Sequence, residues 1–264
     1  MRTELALILQ IILESLPVSS SGNLALLGLS LPTTLNYVAH GATVLIYALF
    51  FRHKLWALAR HPVRCFKQIL HACLYGFFAL VPTVFAYIFL EYTHVTIPLY
   101  MGFFITSLSL LSLTLMPLVS HSIAHSYPAR PECFAVGKMY RRVRAMTIGK
   151  AFLIGCAQGV TLLPGISRLG ITYVVGRWLG LSWRTSFGFS CMIEAPLIIA
   201  ASCKGIYDLV PLAAPSCAVV CEIIVAMCVS YALLEVAYKA AQRELWWIFG
   251  VYVALLTLLA FALK

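Results

Sequence analysis

Three charged side chains stand out in a chain of 264 residues that is 62% hydrophobic and 11% charged: Glu14, Arg168 and Glu194. Each interrupts an apolar run, and a charge at bilayer depth is costly enough to be read as functional by default. Gln10 precedes Glu14 by four residues, so on a helix the two share one face, a turn apart. Together they would form an oxygen-rich site for a hard divalent cation, Mg or Ca. Glu14 snorkelling to the outer surface, or bonding a neighbouring helix, is the other reading. Next, Pro17-Val-Ser-Ser-Ser-Gly22 brings Ser19, Ser20 and Ser21 together with backbone N–H groups at a helix start. That is the composition of an anion cradle, although serine runs also make ordinary turns and caps. Arg168 sharpens the anion reading, because a guanidinium stays charged and its planar fork suits phosphate oxygens. Gly165 and Ser167 lie just before it and Thr172 one helical turn after it. A structural ion pair of Arg168 with Glu14 or Glu194 is the alternative.

The elements that must carry these residues follow from hydropathy. Soluble domains are about 45 to 50% apolar and about 25% charged, so a mean hydropathy of +0.93 excludes a water-soluble globule. Six stretches are long and apolar enough to cross a bilayer: 34–51, 71–90, 97–120, 185–204, 213–238 and 245–263. Residues 3–31 and 149–180 are apolar but broken midway by Leu16-Pro-Val-Ser-Ser-Ser-Gly-Asn23 and Leu163-Pro-Gly-Ile-Ser-Arg-Leu-Gly170. Each flank is too short to span alone, so each region is expected to be a re-entrant helix-turn-helix. Such broken elements are tolerated only where protein or a polar cavity covers the freed backbone.

Sliding the chain against itself by 148 positions puts Gln10 on Gln158, Ser19 on Ser167, Gly22 on Gly170 and Gly28 on Gly176. The spans superpose at the same offset. The expected architecture is therefore an all-α polytopic membrane protein with six transmembrane helices and two re-entrant elements in an inverted-topology repeat. It forms one membrane domain, 1–264, divided into a first repeat 1–120, a basic cytoplasmic linker 121–148 and a second repeat 149–264. Three crossings per copy is odd, so the copies insert in opposite senses, and the site is expected where the broken elements meet near the midplane.

Net charge is +10, but eleven of the 19 basic residues fall in two stretches, 52–67 and 130–150, the pattern of cytoplasmic loops and not of a nucleic-acid partner. The hairpin tip 91–96 lacks Lys and Arg and is expected outside, so the first broken element enters from that side. The nine cysteines include no C-x-x-C pair and are read as small core hydrophobes. The opening apolar run contains Glu4, Gln10 and Glu14 and lacks a small-residue cleavage site, so it is not read as a signal peptide.

Gln10-Ile-Ile-Leu-Glu14, Leu16-Pro-Val-Ser-Ser-Ser-Gly-Asn23 and Pro164-Gly-Ile-Ser-Arg-Leu-Gly-Ile-Thr172 resemble the motifs of the undecaprenyl-diphosphate phosphatases, also called bacitracin-resistance proteins. Looser similarity reaches His40, Phe189-Ser190 and Pro196, so the resemblance covers essentially the whole chain. It implies hydrolysis of polyprenyl diphosphate to the monophosphate and inorganic phosphate, recycling the lipid carrier of cell-wall precursors in the bacterial inner membrane. It also implies a site opening to the outer face. A homodimer is left open as the oligomeric state, and membrane lipids are the only other expected partners.

This sequence departs from the family pattern at three points. Asn23 stands where the motif has histidine, Leu169 where it has serine, and Glu194 where a small residue is usual. Asn cannot take a proton at neutral pH, so a serine–histidine mechanism does not carry over to Ser20. His40 is a candidate displaced base or a packing residue. Glu194 is a candidate base, metal ligand or partner of Arg168. The expected catalytic set is Glu14, Arg168 and Ser20, with Ser19, Ser21, Asn23, Gly165, Ser167 and Thr172 binding substrate and Gln10 helping Glu14 hold the cation. Water activated by the metal and Glu14 is favoured over a covalent Ser20 intermediate. The competing reading is a polyprenyl-phosphate transporter or flippase, or a silent lipid-phosphate binder, because broken helices in inverted repeats also build transporters.

Overall fold

A computed structural model describes residues 2–63, 65–116, 146–209 and 217–263, and every regular element among them is helical. In chain order these are α1 (Arg2–Glu14), α2 (Ser20–Leu26), α3 (Thr33–Phe50), α4 (Arg52–Arg60), α5 (Phe66–Thr93) and α6 (Leu99–Ser112) with a 3-10 turn at Leu113–Leu115. After the linker come α7 (Ile148–Val160), α8 (Arg168–Trp178), α9 (Trp183–Leu209), α10 (Cys217–Gln242) and α11 (Trp247–Ala262). The end of the expected 97–120 span, the start of 213–238 and linker residues 121–145 lie outside the described residues. Three helices, α5, α9 and α10, are long and apolar enough to cross a membrane, or four if α3 and α4, which meet at 69°, count as one. The runs Leu99–Leu115 and Trp247–Ala262 are apolar but shorter.

Both broken regions break where the polar segments fall, and for the same local reason. Ser19 and Ser167 have extended backbones, and each accepts the N–H of the glycine three residues on, Gly22 at 3.2 Å and Gly170 at 3.1 Å. Each is thus the N-cap that starts a new helix, satisfying a donor that the helix cannot satisfy itself. The new helices have 7 and 11 residues, about 10 and 16 Å at ~1.5 Å per residue, well short of a ~30 Å hydrocarbon layer.

The largest helix pairs are α3 with α9, α5 with α7 and α6 with α11, while α1 packs on α10 and α3. Gly155 lets α7 touch the α5 backbone at Ala79, where a Cβ would collide, and Thr83 Oγ1 lies 3.0 Å from Gly155 O across the same contact. Ile11, Ile46, Tyr173, Phe187 and Trp246 fill the main core. Ser15 and Ser230 bond to each other, and Ser230 also donates to Ile11 O at 2.8 Å, tying the first break to α10. The cysteines correct an expectation. All eight described are free, but Cys191 is the buried one and six are exposed, facing outward with the apolar surface instead of filling a core.

Candidate active site

Glu14 ends α1 and is buried, and each of its carboxylate oxygens is engaged. Oε2 accepts from Gln10 Nε2 and from Ser20 Oγ, both at 2.8 Å. Oε1 lies 3.2 Å from His40 Nδ1 on α3. Arg168 is the first residue of α8, placed by the Ser167 cap, and its Nη1 lies 3.8 Å from Glu194 Oε1. The other oxygen of Glu194 accepts from Tyr47 Oη at 2.8 Å. His40 and Tyr47 are two turns apart on α3, so one helix face supplies a neighbour to each buried acid.

Between these groups is a cavity of about 150 Å³, lined by Glu14, the serines Ser19 to Ser21, Ser167, Arg168 and Glu194. A cavity of that size holds several waters. That admits a phosphate-sized group. The two helix breaks both contribute walls, which is why the charges meet here.

The remaining expected residues stand behind this lining. Gln10 and His40 contact Glu14. Asn23 faces away, donating to Ser19 O at 2.7 Å and accepting from Tyr252 Oη at 2.9 Å. Thr172 Oγ1 donates to Arg168 O at 2.8 Å, steadying the first turn of α8. Gly165 has φ +80° and lies against the α6 backbone at Gly102 and Phe103; its carbonyl accepts from Thr106 Oγ1 at 3.3 Å. Thr106 in turn accepts from Ser167 N at 3.1 Å, so α6 pins the second break.

Tyr47 was missed from sequence. Its signal was present, since His40, Thr43 and Tyr47 form a polar stripe at i, i+3 and i+7 along the apolar C-terminal two-thirds of the helix. A second arginine, Arg177, pairs with Glu244 through Nη2 and Oε1, away from the cavity lining.

Gln10 Oε1 is buried with no hydrogen-bond partner, an orphaned acceptor beside the Glu14 carboxylate. With Ser20 Oγ these are hard oxygen donors, the type that Mg and Ca take. Among the described residues no three His, Cys, Asp or Glu side chains are grouped to hold a metal ion. Glu14, Gln10 and Ser20 are the residues that would hold such a cation.

The model of the family described as bacitracin resistance protein BacA matches residues 5–259. The chain belongs to that family. It is 30% identical over 217 residues to an undecaprenyl-diphosphatase of Rhodopirellula baltica, covering 79% of this chain and 74% of that protein. Undecaprenyl-diphosphatase 1 of Shouchella clausii is 27% identical over 218 residues, covering 77% and 73% respectively. A shorter match, 43% over 74 residues, joins the chain to an undecaprenyl-diphosphatase of Mycobacterium avium, covering 28% of this chain and 23% of that protein. The family model spans both broken elements and every cavity residue named above.

Proposed function

We propose that this chain is an integral-membrane phosphohydrolase that converts undecaprenyl diphosphate, or a related polyprenyl diphosphate, to the monophosphate and inorganic phosphate. The observation that carries the reading is the Ser20–Glu14 hydrogen bond, made in the same cavity wall that faces Arg168. A nucleophile, a base within hydrogen-bond reach and a fixed positive charge are the parts that in-line phosphoryl transfer uses.

Arg168 binds non-bridging oxygens of the diphosphate, and Ser21 helps orient it. Ser20 Oγ attacks the terminal phosphorus, and the Oγ–P bond forms as the bond from that phosphorus to the bridging oxygen breaks. The Ser20 proton passes to Glu14 Oε2 and then to the departing monophosphate. Glu14 next accepts a proton from the water that cleaves phosphoserine and returns it to Ser20 Oγ as phosphate leaves. A divalent cation held by Glu14 and Gln10 would add positive charge against the diphosphate. The sequence alone favours a water nucleophile, because Asn23 cannot act as base. The carboxylate at 2.8 Å gives the serine hydroxyl a base without that histidine.

The site sits in a bacterial inner membrane, in six spans and two re-entrant elements, with the basic loops inside and the cavity open to the outer face. Two inverted repeats, 1–120 and 149–264, are supported by the pairing of helices. At an offset of 148, α3 corresponds to α9 and α6 to α11, and each of these is a packed pair; the α1–α10 contact has its counterpart in α7–α5. The test is purified protein in detergent, supplied with undecaprenyl diphosphate and Mg or Ca. Phosphate release and a phosphoserine located at Ser20 by rapid acid quench are expected. No turnover sinks the hydrolase, and turnover with no trapped phosphoserine returns the mechanism to activated water.

A further inference from the structure

We propose that Glu194 is a positioning residue for Arg168: before substrate binds, its carboxylate holds the guanidinium at the place a substrate phosphate oxygen takes over. This rests on the diphosphate reading of the cavity. Glu194 is only 4% exposed, and a carboxylate at that depth persists only when paired. Its two oxygens have separate partners. Tyr47 Oη donates to Oε2 at 2.8 Å and fixes the carboxylate, leaving Oε1 turned toward Arg168 Nη1 at 3.8 Å. That separation is an ion pair but too long for a hydrogen bond. The Arg168 side chain is 26% exposed against 5% for Glu194, so the acid is the rigid member and the guanidinium the one free to turn toward a ligand.

The other roles open to Glu194 fit less well. The hydroxyl in the cavity already has Glu14 as its base, and Glu194 Oε2 is occupied by a proton donor. Its Oε1 is turned to the Arg168 guanidinium, a cation that opposes a second cation at the same oxygen. What remains is charge and orientation. The Glu194 carboxylate adds a negative charge to the cavity wall, which opposes a diphosphate in the ground state. The same carboxylate keeps the arginine fork aimed into the cavity, which serves the transition state. Binding weakened and turnover strengthened by one side chain is a split that mere packing does not produce.

Kinetics on Glu194→Gln, Glu194→Asp and Tyr47→Phe in detergent test this, with calorimetric binding of inorganic pyrophosphate measured alongside. Gln keeps the volume and an acceptor for Tyr47 but removes the charge. KM for undecaprenyl diphosphate and Kd for pyrophosphate should each fall about tenfold, ~1.4 kcal/mol, while kcat falls about a hundredfold, so that kcat/KM also drops about tenfold. Asp should restore both toward wild type, and Tyr47→Phe should lower kcat a few-fold with KM unmoved. Unchanged KM and pyrophosphate Kd in Glu194→Gln overturn the proposal, as does a loss of activity that only follows the folded fraction. A wild-type protein that binds pyrophosphate without turnover overturns the hydrolase reading instead, and the Kd comparison still decides the role of Glu194.

Discussion

Ser20 Oγ donates to Glu14 Oε2 at 2.8 Å across the break between α1 and α2. Six residues apart on one continuous helix, these side chains would point to different faces, since only i+3 and i+4 neighbours meet. The break is therefore what creates the contact, and Ser19 creates the break by capping α2. A nucleophile–base pair made from adjacent segments in this way depends on the turn more than on distant packing.

Glu14→Gln should lower kcat by at least about 10³-fold with folding preserved. The amide keeps the size and an acceptor for Ser20 but cannot take its proton, and loss of a positioned base costs about 10² to 10⁴. Ser20→Ala should be as damaging, and the double variant no worse than either, since residues acting as a unit are non-additive. Phosphate release by purified variants checks this, and additive losses would separate the two residues.

Arg168→Lys should lose about 10²-fold in kcat/KM and Arg168→Ala more, while both fold. Lysine restores charge but not the two-pronged geometry that holds two phosphate oxygens at once. A lysine variant with near wild-type kinetics would mean that Arg168 acts as a point charge only.

Ser19→Ala and Ser167→Ala should behave as cap deletions. Each should destabilise the protein by about 1 kcal/mol, seen as a lower unfolding temperature in detergent. Alanine at 19 should also lower kcat more than alanine at 167, because the turn at 19 sets the Ser20–Glu14 contact. Equal stability with tighter or weaker diphosphate binding would instead make these serines substrate ligands.

Gly165→Ala should cost about 2 kcal/mol, because φ +80° strains any side chain and the added Cβ meets the α6 backbone. Gly155→Leu should be worse, separating α5 from α7 at Ala79. Thermal unfolding in detergent reads both. The Gly165 variant should also lose activity in the folded fraction, because the turn it distorts positions Arg168.

Gln10→Leu should raise the Mg or Ca concentration for half-maximal activity about tenfold, in the range by which a lost metal contact weakens affinity. Titration of phosphate release with cation, with unfolding temperature as a control, measures it. An unchanged cation requirement would remove Gln10 from the metal site.

Composition alone placed this chain in a membrane, because no folded globule of its size buries so much apolar surface by itself. The Pro, Gly and Ser clusters located both helix breaks to within a few residues, since capping and turn formation are local. Glu14, Ser20 and Arg168, which line one cavity, were legible as candidates because charge and hydroxyl runs are conspicuous in apolar sequence. What no local pattern could decide was which groups meet. Tyr47 and Glu194 are 147 residues apart and touch only because α3 packs along α9. Ser19 and Ser20 are adjacent and chemically identical, yet one caps a helix and the other faces a carboxylate. Asn23 turns to Tyr252 on α11, away from the cavity its motif position suggested. Those outcomes depend on side-chain directions fixed by long-range packing, which the order of residues does not display.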